Sequence, residues 1–258
     1  MSESEPLSIS FPFRPVKRSL MTGRVADLFG LTDSDPPHVV ADQLVLDLTP
    51  GDVVLFTGPS GSGKSTLMKQ VGPRHGAVDV MTVSLPDVPL VDALSGPLES
   101  RLEWLSACGL AEARLMLRTP SELSDGQRYR FRIALAFQAA ALANPREPRL
   151  ILLDEFAAVL DRTLAKVVAF NLRKLAAKTG VGLLAATTHD DLADDLNPDV
   201  HVHCRGDGVV DVERREVKKN GSVSSISFGS RPAPSPIGRI SLGGIIDRIA
   251  LVSPDGSF

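Results

Sequence analysis

The sequence predicts an α/β fold with a mostly parallel central sheet, and two patterns support this. Residues 52–57 and 149–153 are short apolar runs of the kind that form buried strands. The first run leads into a glycine-rich loop and a helical pattern, while the second ends in two carboxylates. Because ligands bind outside the carboxyl ends of parallel strands, we expect both features to face one site.

Size and composition restrict the class of protein. The chain has 258 residues, enough for one sizeable domain or two small ones. Its net charge of −3 gives no sign of a general affinity for nucleic acids, and its two cysteines suit a reducing compartment. The acidic N-terminus does not resemble a secretory signal, and no apolar run approaches the roughly 20 residues of a membrane helix. We therefore expect a cytoplasmic protein with no membrane segment of its own.

The glycine-rich loop is the strongest functional pattern. Residues 58–66 read GPSGSGKST, which fills every position of the phosphate-binding motif G-x-x-x-x-G-K-[ST]. Its glycines allow the backbone N–H groups to surround an anion at a helix N-terminus. Lys64 is expected to contact the β- and γ-phosphates, and the Ser65 hydroxyl to bind Mg²⁺. The predicted nucleoside triphosphate site consists of Gly58, Pro59, Ser60, Gly61, Ser62, Gly63, Lys64, Ser65 and Thr66.

Two further strand ends carry residues that suit triphosphate chemistry. Asp154 is expected to bind Mg²⁺, and Glu155 to polarise a water molecule for attack on the γ-phosphate. His189 closes a third strand pattern, 181–187, where an imidazole could donate to the γ-phosphate. Each also has an ordinary explanation, a solvated carboxylate pair or a structural histidine. Their order after the phosphate-binding loop favours the functional interpretation.

The segment between these motifs carries a family resemblance. Leu123-Ser-Asp-Gly-Gln127 resembles the LSGGQ signature of ATP-binding cassette (ABC) ATPases, which are P-loop NTPases. Asp161 and His189 follow at spacings similar to those of the family's D-loop aspartate and switch histidine. The resemblance covers roughly residues 40–213 and implies ATP and Mg²⁺ as ligands, ATP hydrolysis, and a head-to-tail homodimer. It also implies that ATP held by one copy is contacted by the other copy's signature, with Ser124, Gly126, Gln127 and Asp161 as further ATP-site residues.

Two departures from the family pattern lie close to the expected site. Asp125 stands where the signature has its first glycine, and Phe156 stands where a proline usually follows the glutamate. Because a carboxylate and a triphosphate repel each other, we expect Asp125 to turn outward. It would then cap its helix or pair with an arginine such as Arg128.

The stretch 67–122 is short for the family, which predicts a reduced helical subdomain with a helical pattern over 90–118. It contains no glutamine after Gln70, so the family's Q-loop glutamine has no counterpart. The alternatives for that position are Ser84, Asp87 and Asp92. The candidates for an aromatic residue that stacks on adenine are Phe11, Phe13 and Phe29.

Three regions are expected along the chain. They are an irregular N-terminal extension over 1–36 with a short helix at 25–31, an ABC-type ATPase domain over 37–213, and a flexible linker and tail over 214–258. Within the domain, helices are expected over 65–70, 126–143 and 163–179, and a hairpin over 200–213. His201 and His203 share a strand face, but no further ligand pair has the spacing of a metal site.

The partner of the expected ATPase stays open. The stretches RVADLFGL, LLDEFAAVLDR and ATTHDDL resemble a soluble bacterial and archaeal ABC branch that is sometimes fused to a predicted acetyltransferase. The favoured function is an ATPase that drives a conformational change in an unidentified protein or nucleic-acid partner. One alternative is a nucleotide-gated interaction module with slow hydrolysis, which Asp125 and the missing glutamine favour. Another is the ATP-binding subunit of a membrane transporter, which the short helical region disfavours.

Overall fold

The computed structural model of the protein describes residues 6–12, 17, 19–30, 37–144, 149–206 and 208–215. Over these residues the chain forms a two-stranded antiparallel sheet and a six-stranded, mostly parallel sheet flanked by helices. The α/β class with a mostly parallel central sheet is thereby confirmed.

The strands are β1 (Leu7–Phe11), β2 (His38–Leu44), β3 (Val53–Thr57), β4 (Val78–Asp79), β5 (Leu150–Leu153), β6 (Gly182–Ala186), β7 (Val200–Gly206) and β8 (Val209–Arg214). Strands β1 and β2 form the small sheet, and the large sheet has the order β4-β5-β6-β3-β7-β8. In the large sheet, β8 is antiparallel to β7 and the other neighbours are parallel. The carboxyl ends of β5, β6 and β3 therefore open side by side at one edge.

The helices are α1 (Leu20–Phe29), α2 (Lys64–Arg74), α3 (Leu98–Ala107), α4 (Ala113–Met116), α5 (Asp125–Leu142), α6 (Arg162–Thr179) and α7 (Ala193–Leu196). Short 3₁₀ turns lie at Val80–Thr82, Pro120–Glu122 and Asp190–Leu192. Helix α6 ends as expected at Gly180, whose left-handed conformation suits a glycine.

The central strands β3, β5 and β6 of the large sheet are buried on both faces, which explains why they read as continuous apolar runs. On one face, Leu55 and Leu183 pack with α5 and α6. On the other face, Phe56 and Leu184 pack with α2 and the small sheet. This alternation fixes the register, because a slip of one residue would exchange the two faces.

The N-terminal segment contains more regular structure than the irregular extension expected over 1–36. Strand β1 pairs with β2 and buries Leu7 and Ile9. Helix α1 begins after Ser19, whose hydroxyl accepts a hydrogen bond from the Thr22 N–H, so it starts earlier than the expected residue 25. The boundaries at 36 and 213 stay predictions, and residues 216–258 of the expected linker and tail lie outside the described residues.

The helical subdomain is also less regular than the helical pattern expected over 90–118. Only α3 and α4 form there, because Gly96 and Pro97 interrupt the segment before α3 and Gly109 adopts a left-handed conformation after it. A separate apolar cluster holds the subdomain together, and it includes Leu90, Leu94, Leu105, Leu110, Met116, Leu123 and Phe131.

The histidine pair of β7 lies beside the end of β3, from which the phosphate-binding loop leaves. The ring centroids of His201 and His203 are 3.8 Å apart, and the Thr57 hydroxyl lies 3.0 Å from Nε2 of His201 and 3.3 Å from Nδ1 of His203. Burial, and then the neighbouring His203, lowers the pKa of His201 to about 4. His201 is therefore neutral at pH 7, and both histidines lie within hydrogen-bonding distance of Thr57 at the end of β3.

The lowered pKa predicts a loss of stability in acid. An unfolded histidine binds its proton near pH 6.5, whereas folded His201 does so near pH 4, so this contribution is complete above pH 6.5 and is lost as the pH falls to 4. Urea unfolding at pH 7 and pH 4 should show that wild type loses about 1–2 kcal/mol more than His201→Gln, since partial exposure reduces the full effect. His38→Gln, at an exposed position, should behave like wild type. Equal losses in wild type and His201→Gln would contradict the assignment.

Candidate functional site

The phosphate-binding loop joins β3 to α2 and is packed so closely that two of its glycines cannot be replaced. A Cβ atom on Gly58, whose φ is +139°, would lie 2.0 Å from the Cys204 carbonyl oxygen. A Cβ atom on Gly63, whose φ is +90°, would lie 2.3 Å from Cγ1 of Val40. Both distances are well inside van der Waals contact, so the sequence must provide glycine here for the loop to adopt its shape.

Lys64 opens helix α2 and folds back over the loop. Its Nζ donates to the carbonyl oxygens of Gly58 and Pro59, each at 2.7 Å. The side chain is buried, and this burial lowers the pKa of Lys64 despite nearby negative charge. A partly desolvated ammonium group therefore stands at the N-terminus of a helix, where anions are favoured.

Ser65 and Asp154 form an oxygen-rich corner beside this lysine. The Ser65 hydroxyl donates to Oδ1 of Asp154 at 2.6 Å, and the Glu155 N–H donates to the same oxygen at 3.0 Å. Lys69 contacts the other carboxylate oxygen, Oδ2, at 3.0 Å. A hydroxyl and a carboxylate this close can face a single cation, and oxygen ligands of this kind fit Mg²⁺.

Glu155 occupies a constrained backbone position at the end of β5. Its φ is +51°, in the left-handed region that non-glycine residues seldom adopt, and such positions often occur at functional sites. The next residue, Phe156, holds this turn in place, because its ring is buried and its N–H donates to the Ala186 carbonyl at 2.7 Å. The phenylalanine that departs from the family pattern thus fixes the turn that presents the Glu155 carboxylate.

Three separate segments line one cavity of about 390 Å³. The lining residues are Ser60, Gly61, Gly63, Lys64, Ser65, Thr66, Asp154, Glu155, Phe156, Ala158, Ala186, Thr187, Thr188 and His189. His189 is exposed, and its backbone N–H donates to the Thr187 hydroxyl at 3.2 Å. The structure therefore brings the loop, the two carboxylates and His189 together.

Some residues predicted for the site do not line this cavity. Gly58 and Pro59 contribute to it through the carbonyl groups that hold Lys64, and Ser62 is buried in the loop. Asp161 caps helix α6, where its carboxylate accepts the Leu164 N–H at 2.9 Å.

The signature residues form the start of helix α5, away from the cavity. Ser124 and Gln127 form a capping box, in which the Ser124 hydroxyl accepts the Gln127 N–H at 3.3 Å and the Gln127 side chain accepts the Ser124 N–H at 2.9 Å. A Cβ atom on Gly126 would lie 3.0 Å from the Val159 carbonyl oxygen, so this glycine permits close packing against the segment that leads to Asp161.

Asp125 points outward, as expected from its charge. Its side chain is 87% exposed and forms an ion pair with Arg128, whose guanidinium also donates to the Leu123 carbonyl. The substitution for glycine therefore adds a carboxylate whose charge is balanced by its neighbour.

Two residues that were not predicted for the site, Lys69 and Tyr129, contact Asp154. Lys69 forms an ion pair with Asp154, and the hydrogen bond within this pair raises the pKa of Lys69. The Tyr129 hydroxyl donates to the Asp154 carbonyl at 3.3 Å, and burial raises the pKa of Tyr129. Helical spacing alone could have suggested Lys69, which lies one turn after Ser65 on α2. No sequence signal indicated Tyr129.

The described candidates for the Q-loop position and for the adenine contact lie outside the cavity lining. Ser84, Asp87 and Asp92, the three candidates for the Q-loop position, do not line the cavity. Phe11 and Phe29 are exposed and also lie outside its lining, and Phe13 falls outside the described residues.

No protein-family model matches the chain. The chain is 31% identical over 199 residues to the lipoprotein-releasing system ATP-binding protein LolD of Novosphingobium aromaticivorans, covering 61% of this chain and 85% of that relative. Its fold is similar to a dimeric structure of a bacterial ABC transporter cassette, with a TM-score of 0.54, 19% identity and coverage of 84% of this chain and 99% of that chain.

A second solved structure is the dimeric post-hydrolysis state of an ATP-binding cassette bound to ADP and Pi, with a TM-score of 0.53, 20% identity and the same coverage of 84% and 99%. The fold expected from the sequence is confirmed by these structures. The resemblance to a branch sometimes fused to an acetyltransferase stays a prediction. Within the described ranges, no helix is both long and apolar enough to cross a membrane.

Proposed function

Because this chain belongs to the ATP-binding cassette (ABC) family of ATPases, we propose that its cavity binds ATP with Mg²⁺ and hydrolyses it within a head-to-tail homodimer. Hydrolysis of ATP to ADP and phosphate is the activity of the family. The observation that carries the proposal is the convergence of Lys64, Ser65, Asp154, Glu155 and His189 on one cavity.

Phosphate binding follows from the charge and the donors at the start of α2. Lys64 is bonded to two neutral carbonyl oxygens, at 2.7 Å each, and a charged phosphate oxygen is a stronger acceptor than either. The ammonium group would therefore move from these carbonyls to the β- and γ-phosphates. The loop N–H groups and the helix N-terminus would hold the remaining phosphate oxygens.

Ser65 and Asp154 would hold Mg²⁺, which supplies charge neutralisation of the phosphates when it is bound. Glu155 would accept a hydrogen bond from a water molecule and orient its oxygen toward the γ-phosphorus. As the new phosphorus–oxygen bond forms, the bond to the oxygen that bridges to ADP breaks, and the water proton passes by way of Glu155 to the released phosphate. His189 would donate from its imidazole to a γ-phosphate oxygen.

The first test replaces the base without changing its size. Glu155→Gln should bind ATP but lower its turnover by two or more orders of magnitude, since the amide cannot accept the proton. Turnover is measured by phosphate release, and binding by retention of radiolabelled ATP. Glu99→Gln, on α3 outside the cavity, should match wild type. Near-normal turnover in Glu155→Gln would exclude the role given to this residue.

The dimer is proposed because the signature residues lie outside their own subunit's cavity. Ser124, Gly126 and Gln127 begin a helix, whose N-terminus suits a phosphate supplied by a second copy. The ion pair of Asp125 with Arg128 would limit repulsion between this loop and the other copy's ATP. Asp161 would lie at the same contact between copies, since its segment packs against Gly126.

Mixing two inactive variants tests the head-to-tail arrangement. Lys64→Ala removes phosphate binding, and Ser124→Asp keeps a helix-capping side chain while it repels the other copy's γ-phosphate. Each variant alone should be nearly inactive, but their mixture should regain partial ATPase activity. A mixed dimer contains one site with an intact Lys64 and an intact Ser124. A mixture as inactive as its components would exclude sites shared between copies.

The ATPase cycle would drive a conformational change in a partner. The name of a similar protein favours a membrane protein as that partner. The LolD relative is named as the ATP-binding protein of a lipoprotein-releasing system, which favours a role as the ATP-binding subunit of a membrane complex. This second candidate function differs from the soluble ATPase acting on an unidentified protein or nucleic-acid partner that the sequence favoured, and from a slow nucleotide-gated module. The cytoplasmic location stays a prediction.

The Glu155→Gln variant, which should hold ATP without hydrolysing it, can be used to distinguish a membrane partner from a nucleic-acid partner. Tagged Glu155→Gln is purified with ATP from detergent-solubilised cells, and a membrane protein should be retained with ATP and released with ADP. Wild-type turnover is measured in parallel with added DNA or RNA. Stimulation by nucleic acid, with no membrane protein retained, would contradict the membrane role.

A further inference from the structure

Lys69 forms an ion pair with Asp154 at the proposed metal site, and the proposed mechanism gives this lysine no role. It follows Ser65 by one helical turn on α2, so both side chains project toward Asp154. Lys69 Nζ lies 3.0 Å from Oδ2 of Asp154, while Ser65 and the Glu155 N–H occupy Oδ1 at 2.6 and 3.0 Å. Both oxygens of the carboxylate are therefore engaged, one of them by a full positive charge.

The two ends of this ion pair differ in their freedom to move. The Asp154 side chain is only 13% exposed and is fixed by its other hydrogen bonds, whereas the Lys69 side chain is 58% exposed. Lys69 can thus move into solvent without disturbing the core, while Asp154 stays in place.

We propose that Lys69 and Mg²⁺ compete for the Asp154 carboxylate, so that Lys69 raises the magnesium concentration needed for nucleotide binding. The inference rests on the proposed metal site of Ser65 and Asp154. A divalent cation held by this carboxylate is repelled by the ammonium group unless Lys69 withdraws, and withdrawal gives up the ion pair. Lys69 is accordingly a positioning residue that acts through Asp154.

The surroundings of the site strengthen this role. The stand-ins considered for the missing glutamine, Ser84, Asp87 and Asp92, lie outside the cavity lining. Lys69, by contrast, reaches the Asp154 carboxylate from helix α2, beyond the loop, and it brings a positive charge.

The experiment measures metal dependence separately from turnover. In a Glu155→Gln background, binding of a fluorescent ATP analogue is titrated with MgCl₂, and binding of Mn²⁺ with ATP is followed by electron paramagnetic resonance. Lys69→Met, which keeps the length and removes the charge, should lower the half-saturating Mg²⁺ concentration about tenfold, the scale of one unit charge near a partly solvated site. Lys69→Arg, which keeps the positive charge, should have the same half-saturating Mg²⁺ concentration as wild type.

Lys178→Met is the matched control, because Lys178 is 62% exposed and forms an ion pair with Glu103. It should leave the Mg²⁺ requirement unchanged, and thermal unfolding should verify that each variant is folded. Asp154→Asn tests the metal site itself and should raise the requirement. If Asp154→Asn has no effect, the proposed metal site fails. If Asp154→Asn raises the Mg²⁺ requirement but Lys69→Met does not lower it, the competition is excluded and the metal site stands.

Discussion

The parallel arrangement of β5, β6 and β3 is the constraint on which the site depends. Strand β6 pairs with both neighbours, so that Leu184 lies beside Leu152 on one side and beside Val54 on the other. Apolar burial on both faces fixes this register, since a shift would move side chains to the wrong face. The three strand ends are consequently held side by side, and the loops that leave them meet at one cavity.

Asp154 connects this cavity to the rest of the molecule. Its carboxylate joins the end of β5 to helix α2 through Ser65 and Lys69, and its carbonyl oxygen accepts a hydrogen bond from Tyr129 on α5. Helix α5 also carries the signature residues that would face a second copy. Asp154 and the buried Tyr129 thus connect the cavity to the helix that begins at the signature residues.

The residues that depart from the family pattern make specific contacts in the fold. Phe156 anchors the turn that places Glu155 at the cavity, and Asp125 is balanced by Arg128 at the start of α5. The reduced helical subdomain keeps its own apolar cluster around Leu105 and Phe131. Each departure is thus accommodated locally, by burial or by charge pairing, without changing the strand ends that form the site.

The α/β class, the glycine-rich loop and the candidate residues Asp154, Glu155 and His189 could all be predicted from local sequence patterns. These features depend on local rules, namely apolar periodicity, glycine spacing and the position of polar residues after strands. The start of α1 at Leu20 also has a local signal, the capping box of Ser19 and Thr22, which the sequence reading overlooked.

The side chains that contact Asp154, and the need for glycine at Gly58 and Gly63, could be seen only once the strands and helices were packed together. Lys69 and Tyr129 reach Asp154 from different helices, and the two glycines are required by Cys204 and Val40 on distant strands. The physical reason is that such contacts join segments far apart in the chain. The packing of strands and helices decides which of these residues come into contact, and no local sequence pattern predicts it.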